Sequence, residues 1–339
     1  MGENDVCIGV DGGGTKTTAV VIASAGGDVL GQGGSGSTNK NSVGEAVATS
    51  SFKSAIADAL KAAGRTVEDV VCLAVGMSGC DTDADVVLWR GICESVAPNA
   101  RAIVENDAVM ALCSGTGGVL EGVVVISGTG SIAFGAAPGR PRVRVGGWGA
   151  KLGDAGNGCS IGQAALNAVT FASDGRGPPT PLTRLVLDFC KVATEEELLG
   201  LSYGDGSGAP ARFSSWDEVA ALAPLVVAAQ QGGCKVAEGI LEEAVGAICL
   251  LAETAAGRLD GRPGAHDPAL GTTGPASVVS SEAITVVLSG GVLSQEDSFI
   301  SRGVVARLSK TLPKAKLTRP LMVPAEAAAR LAACELASK

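Results

Sequence analysis

Aromatic side chains make up only 3% of the 339 residues, and there is one histidine, His266. A core with so few rings has to be built from Val, Ala, Leu and Ile. The lone histidine lies in a Gly- and Pro-rich stretch, so it reads as a solvated loop residue and not as part of a metal or proton-relay cluster. None of the ten cysteines forms a C-x-x-C pair. Cys7, Cys72 and Cys249 sit inside apolar runs, where reduced thiols pack as small hydrophobes, so a reducing compartment is expected. Basic charge is also scarce, with 26 Lys and Arg against 35 Asp and Glu and a net charge of −9. That balance argues against duplex nucleic acid or an anionic membrane as partner. No apolar run is long enough for a bilayer, and no charged segment with a cleavable hydrophobic stretch leads into the first strand at Val6, so a cytoplasmic protein is expected.

Glycine is plentiful, at 49 residues, and hydrophobic residues reach 46%. The reading is a globular chain with many tight turns, long enough for about two domains. Strand-like runs cover Val6–Val10, Thr18–Ala23 and Asp28–Gly33. Ser42, with Glu45 three residues later, reads as a capping box opening a helix. Val43, Val47, Phe52, Ile56 and Leu60 mark its apolar face, and Gly64 ends it. A strand at Val70–Val75, a helix at Ala84–Val96, a strand at Arg101–Glu105 and a helix from Ala108 complete the order βββαβαβα. From Gly122 the pattern begins again with "GVVVIS", "SIAFGAA" and "RVRV". A long helical region follows, then a strand at Ile284–Leu288, a helix at Phe299–Ser309, a strand at Lys316–Leu321 and an Ala-rich helix from Pro324. Two Gly-, Pro- and Ser-rich stretches, 203–215 and 261–281, read as surface loops.

The stretch "IGVDGGGTKTTAVVI", Ile8–Ile22, places three glycines between two strands. Glycine accepts φ > 0 and has no Cβ, so such a turn can offer successive backbone N–H groups to an anion. Thr15, Thr17 and Lys16 would sit at its rim, and Asp11 could hold Mg²⁺ through water. The bland alternative is a plain hairpin. "ISGTGSIAF" puts a second Gly-Thr turn, Gly128–Gly130, at the equivalent place in the repeat, and two such turns suit a polyphosphate clamp. Neither is a Walker A loop. The match of Gly128 to Ala133 with a dinucleotide fingerprint is set aside, because the residues that follow read as strand where the fingerprint requires a helix.

Taken together, "GVDGGGTKT", "GSGSTN", "ENDA", "VISGTGS", "GGWGAKLGDAG" and "LSGGV" resemble the BadF/BadG/BcrA/BcrD-type ATPases, and within them the branch that phosphorylates N-acetylglucosamine. The motifs run in the family's order from Gly9 to about Gly291. Resemblance implies the sugar kinase/actin/Hsp70 superfamily: an α/β fold of two ribonuclease-H-like domains, each βββαβαβα, with nucleotide and sugar in the cleft between them. The expected domains are 1–117, with helix 324–339 packing back on it, and 118–323. The resemblance further implies ATP and Mg²⁺ as cofactors, with Gly13, Gly14, Thr15 and Lys16 around the phosphates and Asp11 orienting the metal. Gly128, Thr129 and Gly130 form the second phosphate loop, and Gly290 and Gly291 lie by the adenosine. Asn39, Ser78, Asn106, Asp107, Trp148, Gly149 and Asp154 match the sugar-contacting segments. Asp107 is the expected general base for transfer to the sugar 6-hydroxyl. The partners are then a small sugar and ATP, with no nucleic acid or membrane, and a homodimer stays open.

Asn106 and Asp107 have a bland reading as helix caps, and Trp148 has one as a core anchor. Ala155 replaces a family glutamate, Cys234 stands where an acidic residue is usual, and the last helix opens "PAEAAARLA". Rival readings are a glucosamine or other hexose kinase, an activator ATPase of an acyl-CoA dehydratase or reductase, and a sugar- or nucleotide-sensing protein. The cysteine spacing disfavours the activator's cluster. The histidine and cysteine pattern of ROK kinases is not matched.

Overall fold

The computed structural model describes residues 2, 4–25, 27–80, 82–203, 213, 215–261 and 283–337. His266 and most of the two expected surface loops lie outside them. The chain divides into two compact units, one of Met1–Val124, Phe134–Arg142 and Thr318–Lys339, the other of Val125–Ala133 and Val143–Leu317.

The first part of the chain forms β1 (Val6–Gly12), β2 (Thr17–Ala23), β3 (Val29–Ser35), α1 (Lys40–Val43), α2 (Glu45–Ala63), β4 (Val70–Met77), α3 (Asp83–Val96), β5 (Arg101–Asn106) and α4 (Asp107–Gly115). The second part forms β6 (Gly122–Ser127), β7 (Ser131–Ala136), β8 (Val143–Gly146), α5 (Gly158–Ser173), α6 (Leu182–Cys190), α7 (Glu197–Tyr203), α8 (Trp216–Ala220), α9 (Ala223–Gln231), α10 (Lys235–Leu259), β9 (Thr285–Ser289), α11 (Phe299–Thr311), β10 (Lys316–Thr318) and α12 (Pro324–Ala337). The two sheets have strand orders β3-β2-β1-β4-β5 and β10-β9-β6-β7-β8. Read from the other edge, the second repeats the first, so the duplicated βββαβαβα unit is present as an α/β fold with helices inserted after β8.

In the first sheet β1 pairs antiparallel with β2 and parallel with β4, and β4 pairs parallel with β5. Alternation along β1 sends Val6, Ile8 and Val10 into one core with Phe52 and Ile56 of α2 and Trp89 of α3, and Cys7 into the other with α4 and α12. The Phe52 and Trp89 rings meet at 5.5 Å between centroids, tilted by 58°. All ten cysteines are reduced, and every one except Cys334 is buried.

Two details differ from the sequence reading. Ser42 does not cap a helix: Asn39 caps the one-turn α1, and Gly44, at φ +80°, breaks the chain before α2. A left-handed residue cannot continue a helical run, so the Ser42–Glu45 box never forms, and Val47 is exposed while Ala48, Ala55 and Ala59 join the buried face. Several glycines serve the strands instead of turns. A Cβ on Gly9 would overlap the Ala325 carbonyl and the Ala329 amide of α12, and one on Gly33 would overlap the Ala55 carbonyl of α2.

That contact makes Gly9→Ala a stringent probe. Overpacking a fixed backbone costs about 1–3 kcal/mol, so the urea midpoint should fall with an unchanged slope, whereas an unshifted midpoint would show that α12 can move away without cost.

Candidate functional site

Parallel strands that share a sheet end on the same edge. The carboxyl ends of β1, β4 and β5 therefore bring Asp11, Ser78, Asn106 and Asp107 together, at the edge where open α/β sheets hold ligands. The turn after β1 closes through Gly13 N–H donating to the Lys16 carbonyl at 2.9 Å, and leaves Gly14, Thr15 and Lys16 exposed. Ser78 N–H donates to the Gly12 carbonyl at 2.7 Å.

None of Gly12, Gly13 and Gly14 has positive φ, which corrects the conformational argument made for them. What Gly12 supplies is space, since a Cβ there would overlap Thr38 Oγ1, while nothing lies within 4 Å of one on Gly14. The turn is also strapped from the side. Thr38 N–H and Ser37 Oγ donate to the Gly13 carbonyl at 3.2 and 3.3 Å. Buried Thr17 donates to the Gly36 carbonyl at 2.7 Å, and its Oγ1 lies 3.1 Å from that of Thr38. Thr17, expected at the rim of the turn, is instead buried beneath it with its hydroxyl spent on the Gly36 carbonyl. Thr38 is a structural part of the site that sequence reading did not single out, although it lies inside "GSGSTN".

Asn39 caps α1 by accepting from Asn41 N–H at 3.0 Å. Asn106 caps α4 by accepting from Ala108 N–H at 2.9 Å, and its amide donates to the Cys80 carbonyl at 3.4 Å. The capping role thus falls to Asn106, while Asp107 begins the helix itself. The Asp11 carboxyl is pushed up to about 6, first by desolvation and then by the nearby Asp107 carboxylate, against a lowering pull from Lys16. A cation at this edge would relieve both causes, so the donor set fits a hydrated divalent ion.

In the second unit the turn Gly128–Gly130 closes through Gly128 N–H donating to the Gly130 carbonyl at 2.9 Å. Its Gly128 carbonyl accepts from Gly158 N–H of α5 at 2.7 Å, and Thr129 Oγ1 donates to Asp217 at 3.2 Å. Asp154 fixes neighbouring backbone, accepting from Trp148 N–H at 2.9 Å and from Ser131 N–H at 3.3 Å. Its carboxylate is therefore engaged with the second turn. Trp148 is 68% exposed, so it is no core anchor. Gly149, at φ +86°, lies under the Trp216 ring. Cys234 caps α10 by accepting from Ala237 N–H at 3.5 Å, the task an acidic residue would perform there.

Gly290, at φ +95°, leads into a 3-10 turn at Gly291–Leu293, and a Cβ on it would overlap the Ser127 carbonyl. Gly291, Gly128 and Thr129 help line a mostly apolar cavity of about 530 Å³, with Pro224, Val227 and Phe299. That size and lining suit a nucleoside. Pro224 and Val227 belong to inserted helix α9 and carry no motif, so only the folded chain reveals them. Among the described residues no cluster of three or more His, Cys, Asp and Glu could hold a metal ion, and no helix is long and apolar enough to cross a membrane.

Residues 8–328 match the BadF/BadG/BcrA/BcrD ATPase family. The chain belongs to that family. It is 35% identical over 254 residues to an N-acetyl-D-glucosamine kinase of Dictyostelium discoideum, covering 73% of this chain and 77% of that one. It is 34% identical over 237 residues to an N-acetylmuramic acid/N-acetylglucosamine kinase of Clostridium acetobutylicum, covering 70% and 74%. A solved Chromobacterium violaceum structure, described as a candidate N-acetylglucosamine kinase, superposes with a TM-score of 0.67 at 27% identity, covering 96% and 98%.

The shift at Asp11 sets a pH test. A carboxyl with a raised folded value leaves stability unchanged while it is protonated in both states; its destabilisation builds as pH rises from the unfolded value to the folded one and is fully present above the folded value. In EDTA, Asp11→Asn should therefore be more stable than wild type at pH 7.5, by on the order of 2 kcal/mol. The difference should close as pH falls from about 6 to about 4. A gap that stays constant across that range would show that Asp11 carries no such strain.

Proposed function

We propose that this enzyme is an ATP-dependent sugar kinase that transfers the γ-phosphoryl group of ATP to the 6-hydroxyl of N-acetylglucosamine. The observation that carries the reading is the pair of carboxylates at one sheet edge: Asp107 at the start of α4 and Asp11 at the end of β1, beside the glycine turn. Similarity to the two amino-sugar kinases supports the acceptor class.

Phosphoryl transfer asks little covalent chemistry of the protein and much positioning and charge stabilisation. Asp107 accepts the proton of the attacking hydroxyl. Asp11 would hold Mg²⁺, and the metal, when bound, would supply charge neutralisation on the phosphates. Gly13, Gly14, Thr15 and Lys16 offer backbone donors, a hydroxyl and an ammonium to phosphate oxygens, and Gly128, Thr129 and Gly130 form a second donor turn. Gly290 and Gly291 border the adenosine, in the apolar cavity of the second unit. Asn39, Ser78, Asn106, Trp148 and Gly149 contribute to the sugar side. Asp154 supports it by fixing the backbone of Trp148.

ADP release from MgATP, measured against N-acetylglucosamine, N-acetylmuramic acid, glucosamine, glucose and no sugar, tests the reading. Turnover should depend on an N-acetylated amino sugar. Asp107→Asn should lower kcat by about 100-fold or more while MgATP still binds. Near-normal turnover in that variant would remove Asp107 as the base, and sugar-independent hydrolysis would overturn the kinase reading.

A further inference from the structure

Segment 36–40 is strung between two anchors in the first unit. On one side it grips the glycine turn, through the Thr17, Ser37 and Thr38 contacts to Gly36 and Gly13. On the other side Lys40, the first residue of α1, pairs with Asp85 in the first turn of α3.

We infer that the Lys40–Asp85 ion pair is a positioning device that sets affinity for the acceptor sugar by holding Asn39 in place. This deepens the kinase reading and rests on it for the identity of the ligand. The physical need for a second anchor is plain. Helix α1 is a single turn with no fully buried residue; its half-buried Val43, at the far end from Asn39, is its apolar contact with the core, and one isolated turn does not repay its own nucleation. Its Asn39 cap fixes the turn locally but ties it to nothing else.

The Asp85 carboxylate is well placed for the task. One oxygen accepts from Lys40 Nζ, and the other from Thr82 N–H at 2.9 Å and Thr82 Oγ1 at 2.7 Å, completing a capping box. Helix α3 is held rigidly in turn, with Trp89 and Cys93 in the core. The side chains of Lys40 and Asp85 are 24% and 11% exposed, so the pair is partly desolvated. It belongs between surface pairs of small worth and buried pairs whose rupture leaves a stranded charge. Neither residue belongs to the motifs that carry the family resemblance, so nothing in the transfer chemistry itself requires the pair.

The test uses the full chain with Lys40→Met, Lys40→Arg, Asp85→Asn and the Lys40→Met/Asp85→Asn double variant. Hydrogen exchange is followed in the free protein, and steady-state rates are measured with N-acetylglucosamine and MgATP. Lys40→Met should lose amide protection in peptides covering 36–44 while peptides from β1 and α12 keep theirs. Its KM for the sugar should rise on the order of tenfold, the equivalent of a partly buried pair, with a smaller change in kcat and in KM for MgATP. Lys40→Arg should restore both, and the double variant should be no worse than the poorer single one, as expected for one shared interaction. Unchanged exchange in 36–44, or a fall in kcat that simply follows a lower melting temperature, would overturn the inference. If the wild type uses no amino sugar, the kinase reading fails separately, and the exchange arm alone still upholds or overturns the tether.

Discussion

Everything at the candidate site depends on the parallel pairing of β1, β4 and β5. Parallel strands must end on one edge, and their connections must return across a face of the sheet. That single constraint brings residues 11, 78 and 106–107, distant in sequence, to one edge, and it places α4 so that Asp107 begins where β5 stops. The cost is electrostatic. Two carboxylates share a partly desolvated edge, and the Asp11 carboxyl rises to about 6 as a result. A fold whose purpose was stability alone would have no use for this arrangement, whereas a site that recruits a cation does.

Close backbone approach is the second theme, and it explains a glycine content that turns alone do not require. Gly9 lets α12 lie on β1, Gly33 does the same for α2 on β3, Gly12 admits Thr38 behind the first turn, and Gly290 passes the Ser127 carbonyl of the second. In each case a missing Cβ brings elements nearer than alanine would allow. The near-absence of rings in the core follows the same logic, since thin layers of Ala and Val permit short interlayer distances.

Much of the architecture was legible beforehand. The apolar runs of two periodicities marked the duplicated βββαβαβα order, and the sheets confirm it in both halves. Errors arose where one residue's backbone outweighed a local pattern. The Ser42–Glu45 spacing looked like a helix start, but Gly44 in a left-handed conformation separates two helices there. At the site, the turns were found for a partly wrong reason, because none of Gly12, Gly13, Gly14, Gly128 and Gly130 is left-handed. Of these, Gly12 is the one whose missing Cβ makes room for a neighbouring hydroxyl, while Gly14 and Gly128 have open space beside them.

Local residue type and spacing by themselves determined the order of elements, the two Gly-Thr turns, the acidic residues at strand ends and the family resemblance, because each is a property of a few neighbouring residues. Tertiary structure alone decided which distant groups meet. Lys40 finds Asp85 across 45 positions, Thr129 finds Asp217 across 88, and Pro224 and Val227 reach the cavity beside Gly291. No periodicity records such contacts, since they depend on how helices stack on the sheet and not on the intrinsic preference of any one segment.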